Sequence, residues 1–180
     1  MAWDELDGGD GFVLRRPREE EAKEAFALLH DAEVRRWNPQ HDVTSERAVA
    51  EWCRRGADWS AGDHATFSIV EGTTGRLAGN VSLHRIDTDH DSADVGYRIA
   101  PWARNRGRAT LAVAAVTEWA FATLGLYRVQ LQHAIANEAS CKVATNAGFV
   151  LEGVLRQASR IGPAPTDRSD DHLHARLATD

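Results

Sequence analysis

A mixed α/β fold, with a mostly antiparallel central sheet of about seven strands flanked by about four helices, is predicted by three features of this 180-residue sequence. Short runs rich in β-branched and aromatic residues recur between glycine and aspartate turns. Longer stretches carry apolar residues at helical spacing. The two kinds of segment are interleaved in the order β-α-α-β-β-β-α-β-α-β-β, and no repeat, low-complexity tract or linker divides them. Length and continuity predict a single domain over residues 1–180.

Phe12 to Arg16 is the first predicted strand, stopped by Pro17, whose ring fixes φ and removes a donor. From Glu19 to His30, Ala22, Ala25, Phe26, Leu28 and Leu29 make a broad apolar face at helical spacing. Asp31 to Thr44, containing Trp37 and Asn38-Pro39, reads as a loop or broken helix. Thr44-Ser45-Glu46 opens a second helix to about Trp59, with Ala48, Val49, Trp52 and Cys53 on its buried stripe. Ala65 to Glu71, Arg76 to Arg85 and Ser92 to Ala100 follow as an antiparallel meander, joined by Gly72-Thr73-Thr74-Gly75 and by the aspartate-rich segment 87–91. Asn105 to Leu124 is the longest helical pattern and ends at Gly125. Leu126 to His133 is a strand, Asn137 to Asn146 a short helix stopped by Gly148, and Phe149 to Gln157 another strand. Beyond Gly162-Pro163-Ala164-Pro165, the segment Asp170 to Ala178 alternates His172, His174 and Arg176 with Leu173, Ala175 and Leu177.

A formal charge of −6 disfavours general affinity for nucleic acid or an anionic membrane. Cys53 and Cys141 are the only cysteines and form no CxxC, which argues against a disulfide framework or a structural zinc site. No run reaches membrane-span length, and the first residues lack the pattern of a signal peptide, so a cytoplasmic protein is expected. Against this acidic background stands the basic turn Arg104-Asn105-Arg106-Gly107-Arg108-Ala109-Thr110. It lies where the longest helix begins, and there unpaired N–H groups and the positive end of the macrodipole favour an anion. Gly107 has no side chain to keep that anion away, and Thr110 adds a hydroxyl donor. A solvated helix start accounts for such a turn about as well when the turn is taken alone.

A second motif follows about 30 residues later: Asn137-Glu138-Ala139-Ser140, then Ala147-Gly148-Phe149 and Glu152-Gly153-Val154-Leu155-Arg156. The two motifs in this order, on this layout of elements, resemble the GNAT superfamily of acyl-CoA-dependent N-acyltransferases. The similarity is to its ribosomal-protein-alanine acetyltransferase-like (RimJ/RimL-like) branch and covers nearly the whole chain. The resemblance implies an N-acetyltransferase that moves an acetyl group from acetyl-CoA to a primary amine, with no metal. That amine is a peptide or protein N-terminus or a small molecule. Arg104, Arg106, Gly107, Arg108, Ala109 and Thr110 then match the turn that binds the coenzyme A pyrophosphate, mainly through backbone amides. The strand Tyr97 to Ala100 is expected to splay from its neighbour. Ile99 and Ala100 there would meet the pantetheine arm and stabilise the oxyanion with backbone N–H groups. Asn137 matches the family's asparagine at the pantetheine, and Ser140 is the candidate acid for the leaving sulfur. Many relatives dimerise, and the sequence leaves monomer and homodimer open.

Direct attack by the amine in a ternary complex needs no enzyme nucleophile, and nothing beside Cys141 would activate it. The glutamate common just before Gly-Tyr in the family falls on Val95 here, and the tyrosine acid of the wider superfamily falls on Ala144. Asp94 is one residue away on an alternating strand and so faces the other side. These gaps keep a non-catalytic acyl-CoA-binding module open as an alternative. A nucleotide-phosphate enzyme is disfavoured by the lack of a P-loop or Gly-x-Gly-x-x-Gly motif. His84, His133 and Glu152 are further candidate bases. Trp37, Asn38, His41 and His84 are assigned to the acceptor side. The His172-x-His174 pair has no third ligand nearby in sequence and reads as a solvated strand face or a substrate contact.

Overall fold

The computed structural model describes residues 5–38, 43–161 and 166–180. Its sheet has eight strands in the order β1-β2-β3-β4-β5-β6-β8-β7. These are β1 (Glu5–Gly9), β2 (Phe12–Arg15), β3 (His64–Glu71), β4 (Leu77–Asp87), β5 (Ser92–Ile99), β6 (Arg128–Ala134), β7 (Val150–Arg160) and β8 (Arg168–Leu177). The helices are α1 (Ala22–Leu29), α2 (Ala32–Trp37), α3 (Glu46–Ala57), α4 (Arg108–Leu124) and α5 (Glu138–Asn146). Among the described residues no helix is long and apolar enough to cross a membrane.

Two elements exceed the sequence-based order. β1 pairs with β2 through a hairpin in which Asp10 and Gly11 both have positive φ, the conformation that Asp-Gly turns favour. Its only large apolar residue is Leu6, too little for an alternation signal. Within the predicted loop 31–44, Asp31 caps α2 by accepting a hydrogen bond from the Val34 N–H at 3.1 Å. Only Val34 of α2 is buried, so the helix rests on its cap more than on an apolar face.

Both faces of the sheet are covered. Ala65, Phe67 and Ile69 of β3, Val81 and Leu83 of β4, and Ala93, Val95 and Ile99 of β5 share a core with Val113, Val116 and Trp119 of α4. On the opposite face Leu28, Leu29, Val49 and Cys53 of α1 and α3 pack with Val70 and Leu77. A buried ion pair ties α1 to this face: Arg15 meets Glu21 at 2.5 Å, and Ser68 Oγ donates to Glu21 at 2.6 Å. Beside it, burial and the charges of Glu21 and Glu19 push the Cys53 thiol up to about 11, so it remains an inert core residue.

Register breaks in one place. β2 through β5 are antiparallel neighbours, but β5 and β6 run parallel and pair only through Ser92–Asp94 against Arg128–Gln130. Beyond Gln130 the strands part, while on its other edge β6 stays paired with β8 from Arg128 to Ala134. The expected splay is therefore present, and it opens beside Val95 to Ile99.

Candidate active site

Gly107, at φ +73°, is the N-cap of α4, and Asn105 has φ +59°. These left-handed residues turn the chain so that the first amides of α4 face outward. The first intrahelical bond is Leu111 N–H to Gly107 O at 3.0 Å. Among the described residues, the N–H groups of 105 to 110 have no acceptor. Such a run of free donors at a helix start forms an anion cradle.

The three arginines of the turn are not equivalent. Arg104 pairs with Asp31 and donates from Nε to the Ile99 carbonyl at 3.1 Å, so it braces the turn against α2 and β5. Arg108 pairs with Asp10 and lies 4.0 Å over the Phe12 ring. Only Arg106 is exposed and without an ion pair among the described residues. The guanidinium groups of Arg104 and Arg108 are therefore each engaged by a carboxylate, Asp31 and Asp10, whereas that of Arg106 is not. Arg106→Ala is expected to weaken coenzyme A binding by about 10-fold, the value of one charge-assisted contact, and to leave the melting temperature unchanged. Arg108→Ala is expected to lower the melting temperature instead. Calorimetric titration and thermal melts separate the two.

At the splay, the Ala100 N–H is already donated to Ala78 O at 2.7 Å. This corrects the expectation that Ala100 offers a free oxyanion donor. Strand alternation turns the N–H groups of Tyr97 and Ile99 the other way, toward the opening. Across it stands the N-terminus of α5. Asn137 caps this helix by accepting from Ser140 N–H at 3.2 Å, and its side-chain NH₂ remains a donor. Ser140 is buried and is the polar neighbour of the Tyr97 hydroxyl, whose pKa burial raises above the usual phenol value. Tyr97 begins the segment expected to splay, but nothing in the sequence marks its hydroxyl as the partner of Ser140.

On the α3 face of the same strand lies a cleft of about 550 Å³. The residues that alternate away from the α4 core line it: Thr66, Asn80, Ser82, His84, Gly96 and Arg98, with Trp52 and Arg55 from α3 opposite. Gly96 makes room for the His84 ring, because a Cβ there would meet its Cε1 at 3.3 Å. His84 Nε2 lies 4.0 Å from Asp94, which also pairs with Arg85. Burial lowers the His84 pKa, partly opposed by Asp94 and reinforced by Arg85 and Arg98, so the ring is neutral at pH 7. Arg98, on the cleft wall, has no ion pair among the described residues. Its Nε is buried without a hydrogen bond, and burial pulls its pKa down to about 10.

The other sequence-based candidates sort by geometry. Val95 is 3% exposed and packed against α4, whereas Asp94 turns to the cleft face, as alternation requires. Asn38 and His84 line the cleft; Trp37 does not, and instead donates from Nε1 to Glu33 at 3.3 Å. His41 lies outside the described residues. Glu152 pairs with Arg128, whose hydrogen bond holds it below the usual carboxylate range and makes it a weaker proton acceptor. His133 faces away from the cleft and meets His174, which is 1% exposed and so not on a solvated face.

A parted parallel strand pair, an amide cradle at the next helix and a cleft on the opposite face define an acyl-CoA-dependent N-acetyltransferase. The acetyltransferase (GNAT) domain matches residues 12–150, and the chain belongs to that family. The uncharacterized N-acetyltransferase YoaA of Bacillus subtilis is 29% identical over 88% of this chain and 90% of its own. Ribosomal-protein-S5-alanine acetyltransferase from Vibrio fischeri superposes with a TM-score of 0.85 at 20% identity, covering 98% and 97% of the two chains. Microcin C7 self-immunity acetyltransferase MccE, solved with acetyl-CoA and AMP, gives 0.83 at 20% identity over 98% and 97%.

Proposed function

We propose that this N-acetyltransferase acts on a primary amine that carries an anionic group close to the amine. The observation that carries the reading is Arg98, a half-buried guanidinium on the cleft wall whose buried Nε has no hydrogen bond and which has no carboxylate partner among the described residues. A partly buried cation of this kind is costly unless a ligand pairs with it. An amino acid, or a peptide N-terminus with an early acidic residue, supplies that partner, whereas a polyamine would bring repulsion.

In this reading acetyl-CoA lies in the splay, with its pyrophosphate on the amides of 105–110 and Arg106, and with Asn137 on the pantetheine. The acceptor amine arrives through the cleft, and Ile99 N–H supports the oxyanion. His84 takes the ammonium proton, with Asp94 orienting it. The amine attacks the thioester carbonyl and the tetrahedral intermediate expels the thiolate; Ser140, with Tyr97 behind it, gives its proton to the sulfur and takes the second proton that the nitrogen loses as the amide forms. A homodimer is supported by the exposed Val150, Leu151, Val154 and Leu155 of edge strand β7, and light scattering of the purified chain decides it.

The test is thiol release from acetyl-CoA against matched acceptors: an acidic dipeptide, its neutral amide and spermidine. The acidic acceptor is expected to have the highest kcat/KM. Arg98→Met is expected to raise its KM by about 10-fold while the neutral amide is unaffected. Equal turnover of all three acceptors would overturn the anionic preference.

A further inference from the structure

The fold brings together four side chains that the acetyl-transfer reading does not use. His133 comes from β6, Cys141 from α5, and His172 and His174 from β8; one ligating atom of each lies within 4.8 Å of all the others. β6 and β8 are paired with His133 opposite His172, and α5 packs over β6 and β7 and brings Cys141 to His174 of β8. The His172-x-His174 pair is visible in sequence, but its further partners are a histidine and a thiol 41 and 33 residues from His174.

We propose that these four residues form a binding site for a divalent cation of the zinc type. His133 Nε2 and His174 Nε2 are 3.3 Å apart. Tetrahedral zinc with nitrogen ligands at about 2.0–2.1 Å sets such a pair about 3.3 Å apart. Cys141 Sγ is 3.9 Å from His174 Nε2 and the four ligating atoms lie within 4.8 Å of one another, so closing around an ion requires side-chain movement of up to about 1 Å. Three imidazoles and one thiolate are a donor set that zinc accepts.

The hydrogen bonding of the group points the same way. His133 Nδ1 donates to the Ala134 carbonyl at 2.9 Å, which places the proton there and leaves Nε2 bare. That is the usual second bond of a metal-bound histidine. Without an ion, His174 would have to carry its proton on Nε2, leaving its buried Nδ1 with no bond. His172 Nδ1 is likewise buried and unsatisfied. Cys141 and His172 are only half-buried, which gives an ion a way in. On binding, Cys141 releases its thiol proton to solvent and the thiolate becomes the fourth ligand.

The site joins β6 and β8 to α5, whose first turn carries Ser140. A bound ion would therefore fix the helix that faces the thioester, without touching the reacting atoms.

The test uses the full-length protein stripped of metal and kept reduced with a non-thiol reagent. Zn²⁺ is titrated by calorimetry, and Co²⁺ by absorption as a probe of the thiolate. One equivalent of Co²⁺ is expected to give tetrahedral ligand-field bands and a thiolate-to-cobalt charge-transfer band. Zn²⁺ is expected to displace the Co²⁺ and to raise the melting temperature. Cys141→Ser should lose the charge-transfer band and weaken Zn²⁺ binding at least about 10-fold. His172→Gln, at a half-buried position, should weaken binding while retaining the band, and circular dichroism confirms that both variants fold. His90→Ala, at an exposed histidine far from the group in sequence, should change nothing. Wild-type protein without a charge-transfer band, or Cys141→Ser that binds Zn²⁺ as tightly as wild type, would overturn the site.

Discussion

His84→Gln is expected to lower kcat about 100-fold, the loss that follows removal of a positioned general base, while acetyl-CoA affinity stays unchanged. The ring stands on the cleft wall beside Gly96, and the coenzyme cradle at 105–110 is on another element, so the two effects separate. A pH profile distinguishes this role from packing. Burial holds the His84 pKa below its ordinary value, so the ring stays able to accept a proton at pH 7 and loses that ability only as pH falls further. With an acceptor whose amine titrates higher, the wild-type acid limb should therefore lie below about pH 6.5, and in His84→Gln it should vanish. A variant with full kcat and an unaltered acid limb would remove His84 from the reaction. Asp94→Asn would then become the next variant to measure.

Gly79→Ala is expected to cost about 3 kcal/mol and to abolish coenzyme A binding at concentrations that saturate wild type. A Cβ at Gly79 would sit 2.1 Å from the Arg98 carbonyl oxygen, with Ile99 Cα at 3.1 Å, and all of these are backbone atoms that cannot rotate away. The end of β5 must move off β4. That movement displaces Ile99, breaks the Ala100 N–H bond to Ala78 O and releases the Ile99 carbonyl from Arg104. One methyl group would thus disturb the splay, the cradle and Arg98 together. Urea titration and calorimetry with coenzyme A measure both effects; a variant of wild-type stability and affinity would show that the close approach is not required.

Most of the architecture is written in local patterns. Alternation in β3 to β5 separates Phe67, Val81 and Val95 from Thr66, Ser82 and Asp94, and it marks which face is core and which is cleft. Gly107, Gly125 and Gly148 mark helix ends and have positive φ in the structure. The short α2 is harder to read, because a helix with one buried residue has little periodicity. At the site, the cradle and the splay follow from the Arg104 to Thr110 motif and the family it resembles. The engagement of Arg104 and Arg108 does not, since Asp31 and Asp10 lie 73 and 98 residues away. Arg98 as an unpartnered cation and the histidine-cysteine group were hidden for the same reason. Which partners a side chain has, or lacks, is decided by strand order, and β8 inserting between β6 and β7 is not encoded in any one segment.

The parting of β5 from β6 leaves backbone groups in the middle of the sheet without a neighbouring strand. The free protein therefore carries an internal edge, protected from other chains by the layers above and below it. In the proposed binding mode a pantetheine arm seated there would act as a missing strand and complete the sheet. Substrate and scaffold are then thermodynamically one object: acetyl-CoA should slow amide hydrogen exchange at Tyr97 and Ile99 and raise the unfolding temperature in proportion to its occupancy. A cell depleted of acetyl-CoA would hold this enzyme in a form easier to unfold, so its lifetime would track the supply of the molecule it consumes.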